Sequence, residues 1–95
     1  MAIGMRQEFD GDADLYDRVV AAGNIQDDPP DGLIYHCAAV IGDKVRVHDV
    51  WRSQEDFDRF VQDRLGPAFE QVAPGRMGQG TPPETWELHN TIDGR

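Results

Sequence analysis

The chain has 95 residues, with 18 acidic side chains against 9 basic ones and a formal net charge of -9 at pH 7. An acidic surface repels phosphate groups, so nucleic acids and anionic membranes are not expected partners. No apolar run approaches the roughly 20 residues that span a bilayer, and the first residues lack a signal-peptide pattern. The single cysteine, Cys37, excludes an intrachain disulfide. We therefore expect one cytoplasmic domain, residues 1–95.

The first third of the chain predicts a strand followed by a helix. Apolar and polar residues alternate over residues 2–9, which is typical of a strand, with Gln7 as the exception on the apolar side. Either Asp12 or Asp14 is placed to cap the helix that follows. Segment 24–32 is rich in aspartate and proline, and we expect it to be a surface connection.

The centre of the chain predicts a β-hairpin. Gly42-Asp43 is a two-residue turn signal with apolar runs on both sides. The strands are expected to cover about residues 33–41 and 44–51. A two-residue turn fixes which residues of the two strands lie opposite each other.

That pairing brings two chemically active side chains together. His36 lies opposite Asp49, and Ile34 lies opposite Trp51. An imidazole and a carboxylate are then neighbours on an otherwise apolar strand face. The residues predicted to share this face are Ile34, His36, Ala38, Val40, Val45, Val47, Asp49 and Trp51.

A long amphipathic helix is predicted after the hairpin. Ser53 is expected to cap it, with Asp56 as the acid of a capping box. Apolar residues recur at helical spacing over residues 57–72. Gly66-Pro67 predicts a kink, because proline removes an amide donor, but the apolar stripe continues in phase beyond it.

The remaining segments complete an α+β fold. Residues 73–83 are rich in glycine and proline and predict a loop, and residues 84–92 alternate as a last strand. The order βαββαβ is the ferredoxin-like arrangement, a four-stranded antiparallel sheet with two helices on one face. The other face would be left bare and apolar, so we expect two copies to pair through it as a homodimer.

The run from Asp49 to Phe57 resembles the V-W-x-S-x-E-x-F signature of the dimeric α+β barrel superfamily, which includes antibiotic-biosynthesis-monooxygenase-like proteins. The resemblance extends in element order over nearly the whole chain. Residues 32–36, 64–68 and 88–90 look like a small uncharacterised branch of that superfamily. The resemblance implies a dimer of ferredoxin-like subunits. It does not select a reaction, because similar proteins include cofactor-independent oxygenases, haem-degrading monooxygenases, polyketide cyclases and isomerases.

The resemblance also implies a position for a ligand pocket. In haem-degrading relatives, the tryptophan that matches Trp51 lines a pocket on the sheet face away from the helices. By that analogy His36 and Asp49 would line the same pocket. Those relatives bind the haem iron through a histidine of the second helix, and no histidine occurs over residues 54–72. We therefore expect no cofactor, and the scattered histidines do not have the spacing of a metal site.

The His36–Asp49 pair is the candidate catalytic site. A carboxylate beside an imidazole fixes the ring tautomer and raises its basicity, which suits removal of a proton from a phenol or enol. The same pair is more often a buried polar contact that seals a sheet or a dimer, and that interpretation stays open. Arg76 and Met77 lie in a loop that would be able to close over a ligand, although a plain connection is the more usual role of such a loop. The candidate substrate-binding residues are Trp51, Ile34, Val47, His89 and Asn90.

Two hypotheses about function follow. The first is a cofactor-independent monooxygenase, cyclase or isomerase that acts on a small planar aromatic or polyketide-like molecule. The alternative is a non-catalytic ligand-binding or dimer-assembly domain. A cavity of several hundred Å³ between the bare sheet face and a partner subunit, with His36 in it, would favour the first hypothesis. A filled face with His36 bonded across subunits would favour the second.

Overall fold

The computed structural model describes residues 1–76, 81–92 and 94. Their four strands form one antiparallel sheet in the order β2-β3-β1-β4, as predicted for a ferredoxin-like α+β fold. The strands are β1 (Ile3–Asp10), β2 (Leu33–Ile41), β3 (Lys44–Trp51) and β4 (Glu84–Glu87). The helices are α1 (Ala13–Ala22), α2 (Gln54–Phe60) and α3 (Gly66–Val72), with a π-helical turn (Val61–Leu65) between the last two.

Local sequence signals account for where these elements begin and turn. The side chain of Asp12 accepts a hydrogen bond of 2.9 Å from the amide of Leu15 and so caps α1. Ser53 Oγ accepts the amide of Asp56 at 3.1 Å, which confirms the predicted cap of α2. Gly42 adopts a φ of 63°, the left-handed backbone that the hairpin turn requires.

The second helical region is continuous through the predicted interruption. The amide of Gly66 donates to the carbonyl of Val61, five residues earlier, so one wide π-helical turn precedes Pro67. A wide turn at this place is a usual accommodation of a proline within a helix. The apolar stripe continues beyond it, since Phe57 before the turn and Phe69 after it are both buried.

The helices cover the hairpin face that carries Trp51, which corrects the predicted side of the sheet. The indole of Trp51 packs against Phe57 and Phe60 of α2, with ring centroids 5.6 and 5.3 Å apart. His36 and Asp49 therefore lie beneath the helices rather than on the bare face. Strict alternation predicts which residues share a face, but it does not say which face the helices cover.

The helix-free face, which we call the open face, is less apolar than predicted. It carries ion pairs, among them Arg46 Nε with Glu8 Oε2 at 2.7 Å and Arg6 with Glu8 at 3.5 Å. The guanidinium of Arg46 donates to Glu8 and thereby lowers the pKa of that carboxyl group. Apolar surface remains at the aromatic side chains Tyr35 and Trp86, which are 62% and 44% exposed.

A bulge in β2 changes one predicted pairing. His36 pairs with Asp49 as expected, but Leu33 rather than Ile34 lies opposite Trp51. The register shifts between Leu33 and Tyr35, so Ile34 is the extra residue of the bulge and is half exposed. The prediction that Ile34 faces Trp51 is wrong for this reason.

Strand β4 is shorter than predicted and pairs only with the first four residues of β1. Glu87 pairs with Ile3, the first residue of β1, and the amide of Leu88 reaches the carbonyl of Ala2 at 3.0 Å. Among the described residues, no helix is long and apolar enough to cross a membrane.

Gly32 and Gly42 provide a matched test of the packing between β2 and α2. Both have positive φ, 88° and 63°, but an added Cβ at Gly32 would meet the side chain of Asp56 and at Gly42 would meet open space. Gly42→Ala should lower the free energy of unfolding by about 1 kcal/mol, because left-handed backbone is strained for alanine. Gly32→Ala should cost about 1 kcal/mol more, because Asp56 must leave the cap of α2. Urea unfolding measures both, and equal losses would contradict the predicted clash.

Candidate functional site

A cavity of about 150 Å³ lies between the sheet and the helices and is partly open to solvent. Its position differs from the predicted one between two subunits, and it is smaller than the several hundred Å³ expected there. An apolar cavity of this volume accommodates a benzene-sized ring. Most of its wall is apolar, and the polar residues that line it are Gln7, Asp10, Tyr16, His36, Asp49 and Arg76.

The wall of the cavity contains a buried carboxylate. Asp49 lies in the middle of β3 and is only 6% exposed. One of its oxygens, Oδ1, is 2.5 Å from Nδ1 of His36, and the other, Oδ2, accepts the indole N–H of Trp51 at 3.0 Å. Burying an ionised carboxylate is costly unless its oxygens have donors, and here both oxygens have one.

The hydrogen bond that His36 donates to Asp49 determines the tautomer of the imidazole. An ionised carboxylate only accepts hydrogen bonds, so Nδ1 of the imidazole must carry a proton. In the neutral ring Nε2 is then an acceptor, and it faces the hydroxyl of Tyr16 at 2.6 Å. The side chain of His36 is 30% exposed, so part of the ring edge is accessible.

Tyr16 is the member of this group that the sequence did not point to. It lies on α1, and its hydroxyl crosses from the helix to the sheet to meet His36. Burial, followed in size by the negative charge of Asp49, raises the pKa of the phenol above 10.0. The position of Tyr16 on the apolar face of α1 predicts that it points inward, but its partner is 20 residues away and belongs to a different element.

The predicted substrate-binding residues divide into two groups. Trp51 and Val47 line the cavity beside the His36–Asp49 pair. The other three do not line it: Ile34 lies in the bulge, and His89 and Asn90 follow the end of β4 and are exposed.

The connection between α1 and β2 contributes more to the site than its composition predicts. Pro30 is buried, and both Pro30 and Ile25 line the cavity, so this segment is not a plain surface connection. Arg76 also lines the cavity, and its guanidinium donates to the carbonyl of Asp10 at 2.6 Å. Met77 lies outside the described residues.

The residues of the cavity do not fit a haem group. Both ring nitrogens of His36 already have hydrogen-bond partners, Asp49 and Tyr16, so the imidazole has no free nitrogen for iron. A volume of about 150 Å³ is also far too small for a porphyrin. Among residues 1–76, 81–92 and 94, no group of three or more histidine, cysteine, aspartate or glutamate side chains is arranged to hold a metal ion.

The raised pKa of Tyr16 predicts a pH dependence of stability. Because the folded state keeps this phenol protonated to higher pH than the unfolded chain does, its contribution is complete below pH 10 and is lost as the pH rises through the folded pKa. The free energy of unfolding should therefore fall above pH 10, and it should fall less steeply in Tyr16→Phe. Denaturant unfolding at a series of alkaline pH values tests this, and identical slopes for the two proteins would contradict it.

Comparison with known proteins finds likeness in structure alone. No family model and no curated protein matches the sequence. Among solved structures, a protein of Chloroflexus aurantiacus that is provisionally assigned as an antibiotic biosynthesis monooxygenase is 12% identical to this chain. The match covers 98% of each chain, with a TM-score of 0.70. NE2512 of Nitrosomonas europaea, a protein of unknown function, is 16% identical, with 99% of this chain and 95% of that chain covered and a TM-score of 0.70. SnoaB of Streptomyces nogalater, a cofactor-independent oxygenase, is 14% identical, with 98% of each chain covered and a TM-score of 0.63.

Identities of this size show a common fold and leave the activity to be judged from the site. The nearly complete coverage of the chains confirms the fold that the signature around Trp51 implied. The chain has the ferredoxin-like α+β fold of the antibiotic-biosynthesis-monooxygenase structures.

Proposed function

We propose that this protein binds a small phenol or enol in the cavity between sheet and helices and removes its proton at the His36–Asp49 site. The observation that supports the proposal is an imidazole–carboxylate pair, 2.5 Å between Nδ1 and Oδ1, in the wall of an otherwise apolar cavity. A histidine–aspartate pair that served only to complete the packing of the core would not require a cavity beside it. This one borders a space of the size of an aromatic ring.

The pair has the chemistry of a general base. When Nε2 of His36 gains a proton, the ring becomes an imidazolium beside the carboxylate of Asp49. The attraction between the two charges is strong in a buried site, so Asp49 is placed to stabilise the imidazolium that the proton transfer forms. A positioned base of this kind contributes about 10²–10⁴-fold to the rate of a proton transfer.

The proton transfer defines the class of reaction that we propose. A phenolate or enolate is electron-rich enough to reduce dioxygen without a cofactor. One oxygen atom then becomes a carbonyl group of the product, and the other leaves as water. The oxygenase SnoaB shares this fold, which supports the oxygenase proposal. Cyclisation and isomerisation begin with the same anion, so proton removal is the step to test.

The test uses para-nitrophenol, a single-ring acid of about the same strength as imidazole with a yellow anion. At a pH at which the free phenol is mostly neutral, excess protein should give about tenfold more phenolate than buffer alone, because the nearby imidazolium favours the anion. His36→Gln should abolish this increase, because glutamine keeps a donor toward Asp49 but accepts no proton. Absorbance of the phenolate measures the effect.

His48→Gln is the matched control. His48 pairs with Arg6 and Cys37, is exposed and lies on the open face, so its replacement should leave the phenolate signal unchanged. Wild-type protein that binds para-nitrophenol only in its neutral form would contradict the proposal and favour a non-catalytic ligand-binding role. A signal that persists in His36→Gln would contradict the assignment of the base.

We also propose that the protein is a homodimer that pairs through the open face. Tyr35, Val50, Gly4 and Trp86 follow one another across the sheet in register, so two exposed aromatic side chains flank one row. Neighbouring rows carry arginine and glutamate side chains of both signs. A surface with both signs of charge around apolar groups is able to face a copy of itself across a two-fold axis.

Tyr35→Glu tests the dimer. Across the two-fold axis, a carboxylate at this position should lie against the same carboxylate of the other subunit or against apolar surface. The Kd of the dimer should therefore rise at least tenfold. Val40→Glu is the control, because Val40 is 49% exposed on the same strand but on the opposite face. Sedimentation equilibrium at micromolar concentration should show a dimer for the wild type and for Val40→Glu. A monomeric wild type would contradict the proposal.

A further inference from the structure

The hydroxyl of Tyr16 lies between a helix and the imidazole of His36, at the wall of the cavity. Its oxygen is 2.6 Å from Nε2, and the two rings are nearly parallel, with an interplanar angle of 3°. The lone pair of Nε2 lies in the plane of the imidazole. The phenol is therefore well placed to donate its proton to that lone pair.

The carboxylate of Asp49 fixes the direction of both hydrogen bonds in the Tyr16–His36–Asp49 chain, because it can only accept. Asp49 accepts from Nδ1, so Nε2 of the neutral ring accepts from Tyr16. A phenol that donates its only proton keeps the lone pairs of its oxygen, which remain able to accept a hydrogen bond. Both Tyr16 and His36 line the cavity, and both ring nitrogens of His36 already have partners, so the acceptor left for a ligand in the cavity is the oxygen of Tyr16.

We propose that Tyr16 is the residue that takes the proton from the bound molecule, while its own proton passes to Nε2 of His36. The proposal rests on the proposed function and names the group that touches the ligand. The O–H bond of the ligand and the O–H bond of Tyr16 break, and new O–H and N–H bonds form on Tyr16 and His36. The products are a ligand anion, a neutral Tyr16 and an imidazolium paired with Asp49, so His36 becomes a positioning residue that acts through Tyr16.

The surroundings of Tyr16 favour this coupled transfer over a separate tyrosinate. Burial and the carboxylate of Asp49 both raise the pKa of the phenol, so it does not remain ionised near neutral pH. A tyrosine of this kind is a weak base by itself. It passes a proton on only when a second proton moves with it, and the His36–Asp49 pair provides that second acceptor.

Tyr16→Phe tests the proposal with the same para-nitrophenol probe, because it removes the hydroxyl and keeps the ring. The variant should still bind the neutral phenol, seen as quenching of tryptophan fluorescence, but its phenolate should fall about tenfold, to the level in buffer. Tyr35→Phe is the control, since Tyr35 lies on the open face, and it should behave as the wild type. Full ionisation in Tyr16→Phe would overturn the inference and leave the proposed function intact, because His36 would then act directly.

A second measurement separates proton transfer from simple support of His36. The short hydrogen bond between Nδ1 and Asp49 should give a far-downfield proton resonance in the NMR spectrum. This resonance should persist in Tyr16→Phe, which would show that the pair is intact while ionisation of the probe is lost. Loss of both the resonance and the phenolate would overturn the inference, because Tyr16 would then only hold the ring in place. Wild-type protein that does not ionise the probe would instead refute the proposed function itself.

Discussion

The buried carboxylate of Asp49 is the constraint on which the site depends. A carboxylate in the middle of a sheet, beneath helices, is stable only if both oxygens receive hydrogen bonds. His36 provides one donor and Trp51 the other. Each donor is then held by further packing, since the imidazole meets Tyr16 and the indole packs against the phenylalanines of α2. The hydrogen bonds that the buried carboxylate requires therefore connect Asp49, His36 and Trp51 of the strands to helices α1 and α2.

The register of the sheet is what makes this arrangement possible. His36 and Asp49 are neighbours because the two-residue turn at Gly42 sets the pairing of β2 with β3. A slip of one residue would turn Asp49 to the open face and leave His36 without its partner. The bulge at Ile34 shifts the register only beyond the pair, so it alters the end of the strand without disturbing the site.

Much of the fold and the central pair were predictable from sequence, because they depend on short-range signals. The hairpin turn, the caps at Asp12 and Ser53 and the alternation of the strands act over a few residues. The covered side of the hairpin was not predictable from β2, which is apolar on both faces, although β3 alternates polar residues such as Arg46 with the buried Val45 and Val47. The deciding signal lay in β1, whose apolar side pairs with Trp51 and Asp49, but that pairing is between residues more than 40 positions apart.

Tyr16 was missed for the same physical reason. Its contact with His36 joins a helix to a strand across the connection over residues 23–32, and no periodicity encodes how far a side chain of one element reaches into another. The cavity likewise depends on residues that are far apart in the sequence. It is lined by residues of the sheet, both helical regions and that connection, including Pro30, and its volume depends on how all of them pack.

The charge of the protein adds a further restriction on what the site accepts. With a formal net charge of -9, the surface repels anions, and the cavity already contains the carboxylate of Asp49. A ligand that enters as a neutral molecule avoids this repulsion. The proton transfer that we propose would leave the total charge of the cavity unchanged, because the imidazolium of His36 would balance the new anion. The proposed function therefore requires a ligand that arrives protonated and becomes an anion only in contact with the Tyr16–His36–Asp49 chain.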